Sequence, residues 1–145
     1  MKYFFTIAFL AICNIVAAQS IDTPTVKYEY VEQMPEPRYN LYKFLGDSIR
    51  YPPVARDSGI EAKVYAKFVV REDGHLENFR IVRRVRLYYD STTKIYTSID
   101  VDVLGYGFEE EVLRVLHLLP KWRPGKQNGK PVSVYYTLPL QFKLQ

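Results

Sequence analysis

EAKVYAKFVVREDGHLENFRIVRRVRLYY, residues 61–89, decides the fold class. Ala62, Val64, Ala66, Phe68 and Val70 alternate with Lys63, Tyr65 and Lys67. A period of two sends successive side chains to opposite faces, so Glu61 to Arg71 reads as a strand with one side buried. Glu72-Asp73-Gly74-His75 is a tight turn, with Gly74 where φ can be positive. The second strand runs from Leu76 to about Tyr89. Phe79, Ile81, Val85, Leu87 and Tyr89 share one parity; Arg80, Arg84 and Arg86 share the other, with Arg83 beside them. The spacing predicts a hairpin.

Downstream, Asp90-Ser91-Thr92-Thr93 reads as a second turn, and Ile99, Val101 and Val103 alternate with Ser98, Asp100 and Asp102. Residues 84–103 thus continue the second strand into a further hairpin. Val85, Leu87 and Tyr89 are expected to face Ile99, Val101 and Val103, leaving Arg84, Arg86 and Tyr88 on the other side. Phe108, Val112, Val115, Leu116 and Leu119 then fall on one helical stripe. Glu109, Glu110 and Glu111 occupy its first turn, where the helix dipole favours negative charge, and Pro120 stops it. Asn128-Gly129 signals another hairpin turn. The last strand, Val132 to Leu144, points Val132, Val134, Tyr136, Leu138, Leu140, Phe142 and Leu144 inward. Pro139 within it argues for an edge, because proline cannot donate to a ladder.

Upstream, Leu41, Phe44 and Leu45 have helical spacing ended by Gly46. A short helix is expected from Pro52 to Asp57, ended by Gly59. The expected fold is α+β and two-layered. A small antiparallel sheet of about three strands plus the inserted hairpin packs on two helices.

The N-terminus has a separate logic. Met1-Lys2 and the apolar run Tyr3 to Ile12 precede Val16-Ala17-Ala18, the pattern of a secretory signal cleaved after Ala18. Two alternatives stay open on these residues. A membrane anchor would be short of the ~20 residues a span needs. A lipoprotein acylated at Cys13 would carry Ile12 where a small residue is required. Residues 19–43 read as a linker punctuated by Pro24, Pro35 and Pro37, and residues 44–145 as the domain, with the insertion at about 85–107.

Composition narrows the function. The chain has 145 residues, with 48% hydrophobic and 25% charged, which excludes wholesale disorder. A net charge of +4 is mildly basic, and the single Cys excludes a disulfide scaffold or a Cys-based zinc site. His75 sits in a turn and His117 near a helix end, which gives no metal-ligand pair. Glu109 to Glu111 diverge around a helix and read as a solvated first turn. No nucleophile elbow or P-loop is present, so no enzyme activity, metal or cofactor is expected. Nucleic acid is not an expected partner, since the Arg80, Arg84 and Arg86 stripe has no interleaved aromatics.

Two blocks carry a family resemblance. Tyr51-Pro52-Pro53-Val54-Ala55-Arg56-Asp57-Ser58-Gly59 with the strand and Asp73-Gly74 after it resembles the start of a TonB C-terminal domain. Leu119-Pro120-Lys121-Trp122-Arg123-Pro124-Gly125-Lys126-Gln127-Asn128-Gly129 with the final strand resembles its end. Tyr51, Pro52, Gly59, Pro120, Trp122, Pro124 and Gly125 are the motif positions. The resemblance implies a periplasmic domain that takes the N-terminal box peptide of an outer-membrane transporter as an added strand. It would do so on the edge of the last strand, at Ser133, Tyr135, Thr137, Pro139 and Gln141. Arg80, Arg84, Arg86 and Tyr88 are candidates for an accessory surface. Inner-membrane motor proteins would be partners if residues 1–18 are retained, and a homodimer is compatible. The insertion at 85–107 departs from the family pattern. The alternative reading is a cell-envelope structural or adaptor protein that uses the same fold without energy transduction.

Overall fold

The computed structural model describes residues 26–145. The signal-peptide reading concerns residues outside that range. The centre of the sheet is β3 (Glu61–Val70), antiparallel to β4 (Leu76–Asp90) on one side and to β8 (Lys130–Phe142) on the other. β5 (Ile95–Asp100) lies beyond β4, and β1 (Lys27–Tyr28) lies beyond β8, giving the order β1-β8-β3-β4-β5. β7 (Gly125–Gln127) folds back on the start of β8. Its turn, Asn128-Gly129, has both φ angles positive (51° and 73°), as a two-residue hairpin of matched twist requires. β2 (Glu36–Pro37) and β6 (Trp122–Arg123) form a separate two-stranded sheet.

Three helices are described: α1 (Leu41–Ser48), α2 (Pro53–Asp57) and α3 (Phe108–Leu116). They cover one face, where Leu41, Leu45, Ala55, Phe108, Val112, Val115 and Leu116 pack on Ala62, Val64, Ala66, Phe68, Leu138, Leu140 and Phe142. The α+β class holds. The layout is richer than three strands, a hairpin and two helices, and β1 makes the sheet mixed, because it runs parallel to β8.

Several boundaries differ from those the sequence predicts, for identifiable reasons. Gly46 does not end α1. The Asn40 carboxamide accepts from the Lys43 N–H at 3.0 Å to start the helix, and the Ile49 N–H reaches the Leu45 carbonyl at 2.8 Å to close it. α3 stops at Leu116, short of Leu119, and His117 caps it. Two of the three carboxylates in the acidic turn of α3 are tied rather than solvated, while Glu110 is exposed. Glu109 accepts from the Leu104 N–H and pairs with Arg84, both at 3.0 Å. Glu111 accepts from the Arg50 N–H at 2.6 Å and from Arg114 at 2.7 Å. From Lys27 on, the stretch expected as a linker before Leu41 is fastened at several points. Lys27 and Tyr28 pair with Ser133 and Val134, Gln33 bridges to Lys126, and Glu36 and Pro37 pair with Arg123 and Trp122.

The alternation along β4 breaks. Tyr65 is opposite Arg83 but Ala66 is opposite Ile81, so Val82 is an extra residue; a second extra residue falls near Asn78, whose φ is 58°. Each bulge reverses the parity of the residues beyond it. Phe79 and Ile81 face the helices, as expected, but beyond Val82 it is Arg84, Arg86 and Tyr88 that do so. Val85, Leu87 and Tyr89 lie on the opposite face. In the inserted hairpin Arg86 is opposite Ile99, Leu87 opposite Ser98, and Tyr89 opposite Tyr96. The expected apolar pairing with Ile99, Val101 and Val103 is therefore not made.

Trp122 gathers the pieces. It is fully buried, edge-on to Phe68 at 5.5 Å and to Tyr136 at 4.8 Å, and its indole N–H donates to the Tyr39 hydroxyl at 2.9 Å. Its backbone N–H donates to the Gly74 carbonyl at 2.9 Å. Gly74 has φ +87°, and a Cβ there would overlap the Trp122 carbonyl oxygen, so both the conformation and the approach demand glycine.

Trp122→Ala is expected to cost about 3–5 kcal/mol in chemical denaturation, as deletion of a large buried aromatic does. Tyr39→Phe keeps the ring but leaves the indole N–H unsatisfied, and should cost roughly 1–3 kcal/mol.

Glu111 makes stability depend on pH. The Arg114 hydrogen bond, with the Arg50 N–H after it, holds its carboxyl below the usual carboxylate range. A depressed carboxylate contributes stability above its unfolded pKa, and that stability is lost as pH falls through the lowered folded value. Melts of Glu111→Gln should be less stable than wild type at neutral pH and converge with it in acid.

Candidate functional site

The candidate site is the outer side of β8. Backbone alternation sets which residues present hydrogen-bonding groups there. The Val101 N–H donates to the Arg84 carbonyl at 3.0 Å, so the even-numbered residues at this end of β4 aim their backbone at β5. In an antiparallel ladder the facing pairs alternate. Arg83 and Val85 then bond Tyr65 and Lys63, and Ala62, Val64 and Ala66 bond Phe142, Leu140 and Leu138. The odd-numbered residues Thr137, Pro139 and Gln141 are left with their peptide groups pointing away from β3. Pro139 lies in this outward set, where its missing N–H breaks no ladder bond.

The edge is only partly open. β7 pairs with Lys130, Pro131 and Val132, and β1 pairs with Ser133 and Val134. Ser133 is buried, which corrects its expected place on an exposed edge; β1 lies against it. Tyr135 is half-buried, and Thr137, Pro139 and Gln141 are exposed. Among the described residues, Tyr135 to Phe142 pair with β3 alone.

Two different surfaces flank this open stretch. On the helix side a groove of about 530 Å³ runs between α1 and the strand; Leu41, Leu45, Ile49, Tyr136, Leu138 and Leu140 form its apolar wall, and Lys63 and Gln141 line its rim. On the opposite side lie Lys63 and Lys67, with Tyr65 between them in sequence. Lys67 stands over the Tyr135 ring at 4.6 Å, with Arg80 at 5.9 Å, and also pairs with Glu29 at 2.6 Å. Lys63 and Arg83 stand over the Tyr65 ring at 5.1 and 5.2 Å. A strand laid here would send alternate side chains into an apolar groove and onto a cationic, aromatic face.

The accessory surface is not one surface. The bulge at Val82 parts Arg80, on the Tyr135 side, from Arg84, Arg86 and Tyr88 on the helix side. Arg84 is half-buried against Glu109, and Arg86 lies over the Tyr88 and Tyr106 rings at 5.2 and 5.8 Å. The motif residues are structural in their contacts. Tyr51 donates to the Ile60 carbonyl at 2.6 Å, Pro52 precedes α2, and Gly59 has φ +66°. Pro120 is exposed and Pro124 is half-buried. A Cβ on Gly125 would come within 2.7 Å of Val134 and 3.2 Å of the Gln33 carbonyl, so this glycine lets the N-terminal stretch close on β8. His75 is held by Asp73 at 2.9 Å in its turn, while the His117 Nδ1 lies 2.6 Å from the Leu113 carbonyl. They lie on separate elements. Sequence reasoning missed the groove wall supplied by α1 and the strand β1, whose two paired residues carry no pattern of their own.

Residues 47–95 match the family model of the Gram-negative bacterial TonB protein C-terminal. That segment runs from the end of α1 through β4 to the start of β5, and β8 lies outside it. The fold is similar to two NMR solution structures of Helicobacter pylori TonB-CTD, both at 21% identity. Residues 179–285 of that protein align with a TM-score of 0.42 over 72% of this chain and 77% of the other. Residues 194–285 align with a TM-score of 0.41 over 71% and 88%. No curated protein matches the chain.

Proposed function

We propose that this chain is an exported, TonB-like protein-binding module that works in the periplasm in outer-membrane transport. Its ligand is the N-terminal box peptide of a TonB-dependent transporter, received as an added strand on β8. The observation that carries this reading is the open stretch Tyr135 to Phe142, with outward peptide groups at Thr137 and Gln141 and an apolar groove beside them. The TonB family match over residues 47–95 supports the transport setting. Main-chain bonds along the edge supply affinity, and the groove selects apolar side chains at alternate peptide positions. β1 and β7 fill the first part of the strand, so the peptide engages the remainder, Tyr135 to Phe142.

Thr137→Pro removes an outward N–H from an exposed position and leaves the helix-side core untouched. Calorimetry with a synthetic transporter N-terminal peptide should show binding to wild type and none to the folded variant. Undiminished affinity in the variant would exclude this edge.

A further inference from the structure

The sheet has a second open edge among the described residues, on the inserted strand β5. All six residues of β5 are exposed, and Ile95 and Ile99 remain 58% and 53% accessible. An uncharged strand edge of this kind is a template for another strand unless something blocks it. Lys94 and Asp100 stand at its two ends, but between them Ile95-Tyr96-Thr97-Ser98-Ile99 carries neither charge nor proline.

Its backbone geometry restricts what can pair with it. Even-numbered β4 residues bond β5, so Ile95, Thr97 and Ile99 spend their peptide groups on Asp90, Tyr88 and Arg86. Tyr96, Ser98 and Asp100 are left facing outward. If a second copy adds antiparallel about a two-fold axis, outward residues must pair with outward residues, so the axis must pass through a residue and not between two. With the axis at Thr97, Tyr96 of each copy exchanges bonds with Ser98 of the other. Ile95 then lies directly across from Ile99, in the closer, non-hydrogen-bonded class of pair. Lys94, in the turn just ahead of the strand with φ 58° and its N–H on the Asp90 carbonyl, adds no ladder pair but brings its side chain to the same end of the pairing as Asp100 of the other copy. The strand is self-complementary in this register, with apolar against apolar and cation against anion, each twice.

We infer that the inserted hairpin makes this protein a homodimer, through antiparallel β5–β5 pairing about Thr97 that joins two sheets into one. The contact is isologous, as a two-fold demands, and leaves the β8 edge of both copies free. A pairing of one short strand per copy belongs with the small, weak interfaces, so the dimer forms at high protein concentration or where the protein is crowded at a membrane.

The test is a charge swap on the full chain, read by sedimentation equilibrium up to roughly 1 mM. Lys94→Glu alone sets carboxylate against carboxylate at both ends of the pairing. Asp100→Lys alone sets ammonium against ammonium at the same two places. Each variant should associate roughly tenfold more weakly than wild type. An equimolar mixture of the two restores both attractive pairs in a heterodimer, and association should return to near the wild-type level. Loss of the Arg83–Asp100 pair in the second variant cannot produce that rescue, because the loss persists in the mixture. Circular dichroism shows that each variant is folded. A wild-type chain that stays monomeric at the highest concentration overturns the proposal, and so does a mixture that associates no better than its components.

Discussion

The burial of Trp122 is the constraint on which the rest of the molecule depends. One side chain contacts β3 through Phe68 and β8 through Tyr136, and it fixes the segment before α1 through the Tyr39 hydroxyl. Its backbone holds the β3–β4 turn at Gly74 and the strand β2 at Pro37. Burial raises the Tyr39 hydroxyl pKa, the cost of supplying an acceptor to a buried indole, and the indole hydrogen bond offsets part of that rise. Because these segments meet at one residue, the N-terminal stretch and the final hairpin are placed together. That placement sets where β1 closes on β8 and where the open edge begins.

The sheet therefore has two ends of different character. At the β8 end an apolar groove and a cationic face border the free backbone from Tyr135 to Phe142. The β5 strand is short, charged at its ends and apolar or neutral in the middle. Edge strands are normally blunted by charge, proline or cover. Here Pro139 blunts one site of β8 without closing it, and β1 covers another. The structure thus limits each edge to a narrow length and register, a condition for selecting a partner rather than aggregating.

Much of the core is legible in the sequence because its signals are local. The alternation of Ala62 to Val70, the glycine at 74, the Asn-Gly turn and the stripe Phe108 to Leu116 all translate directly into elements. Pro139 points to an edge for the reason the backbone geometry bears out. What is not legible is non-local. β1 and β2 are two residues each, too short for any period, and exist only because β8 and β6 supply partners. The bulges at Val82 and near Asn78 reverse parity without a proline or glycine to announce them. The Val82 bulge is why simple alternation puts the upper arginines and the hairpin's apolar residues on the wrong sides. The acidic first turn of α3 reads as solvated because, Arg114 of the same helix apart, its partners Arg50 and Arg84 come from elsewhere in the chain.

The central claim is that a ligand strand is added at the outer backbone of β8. Residue-resolved amide hydrogen exchange, with and without a transporter N-terminal peptide, tests it most directly. In the free protein the Leu138 and Leu140 amides, bonded to β3, should be protected while those of Thr137 and Gln141 exchange fast. Saturating peptide should slow Thr137 and Gln141 and leave Tyr96 and Ser98 on β5 unchanged. Protection that appears on β5, or none on the odd-numbered amides of β8, would contradict the account.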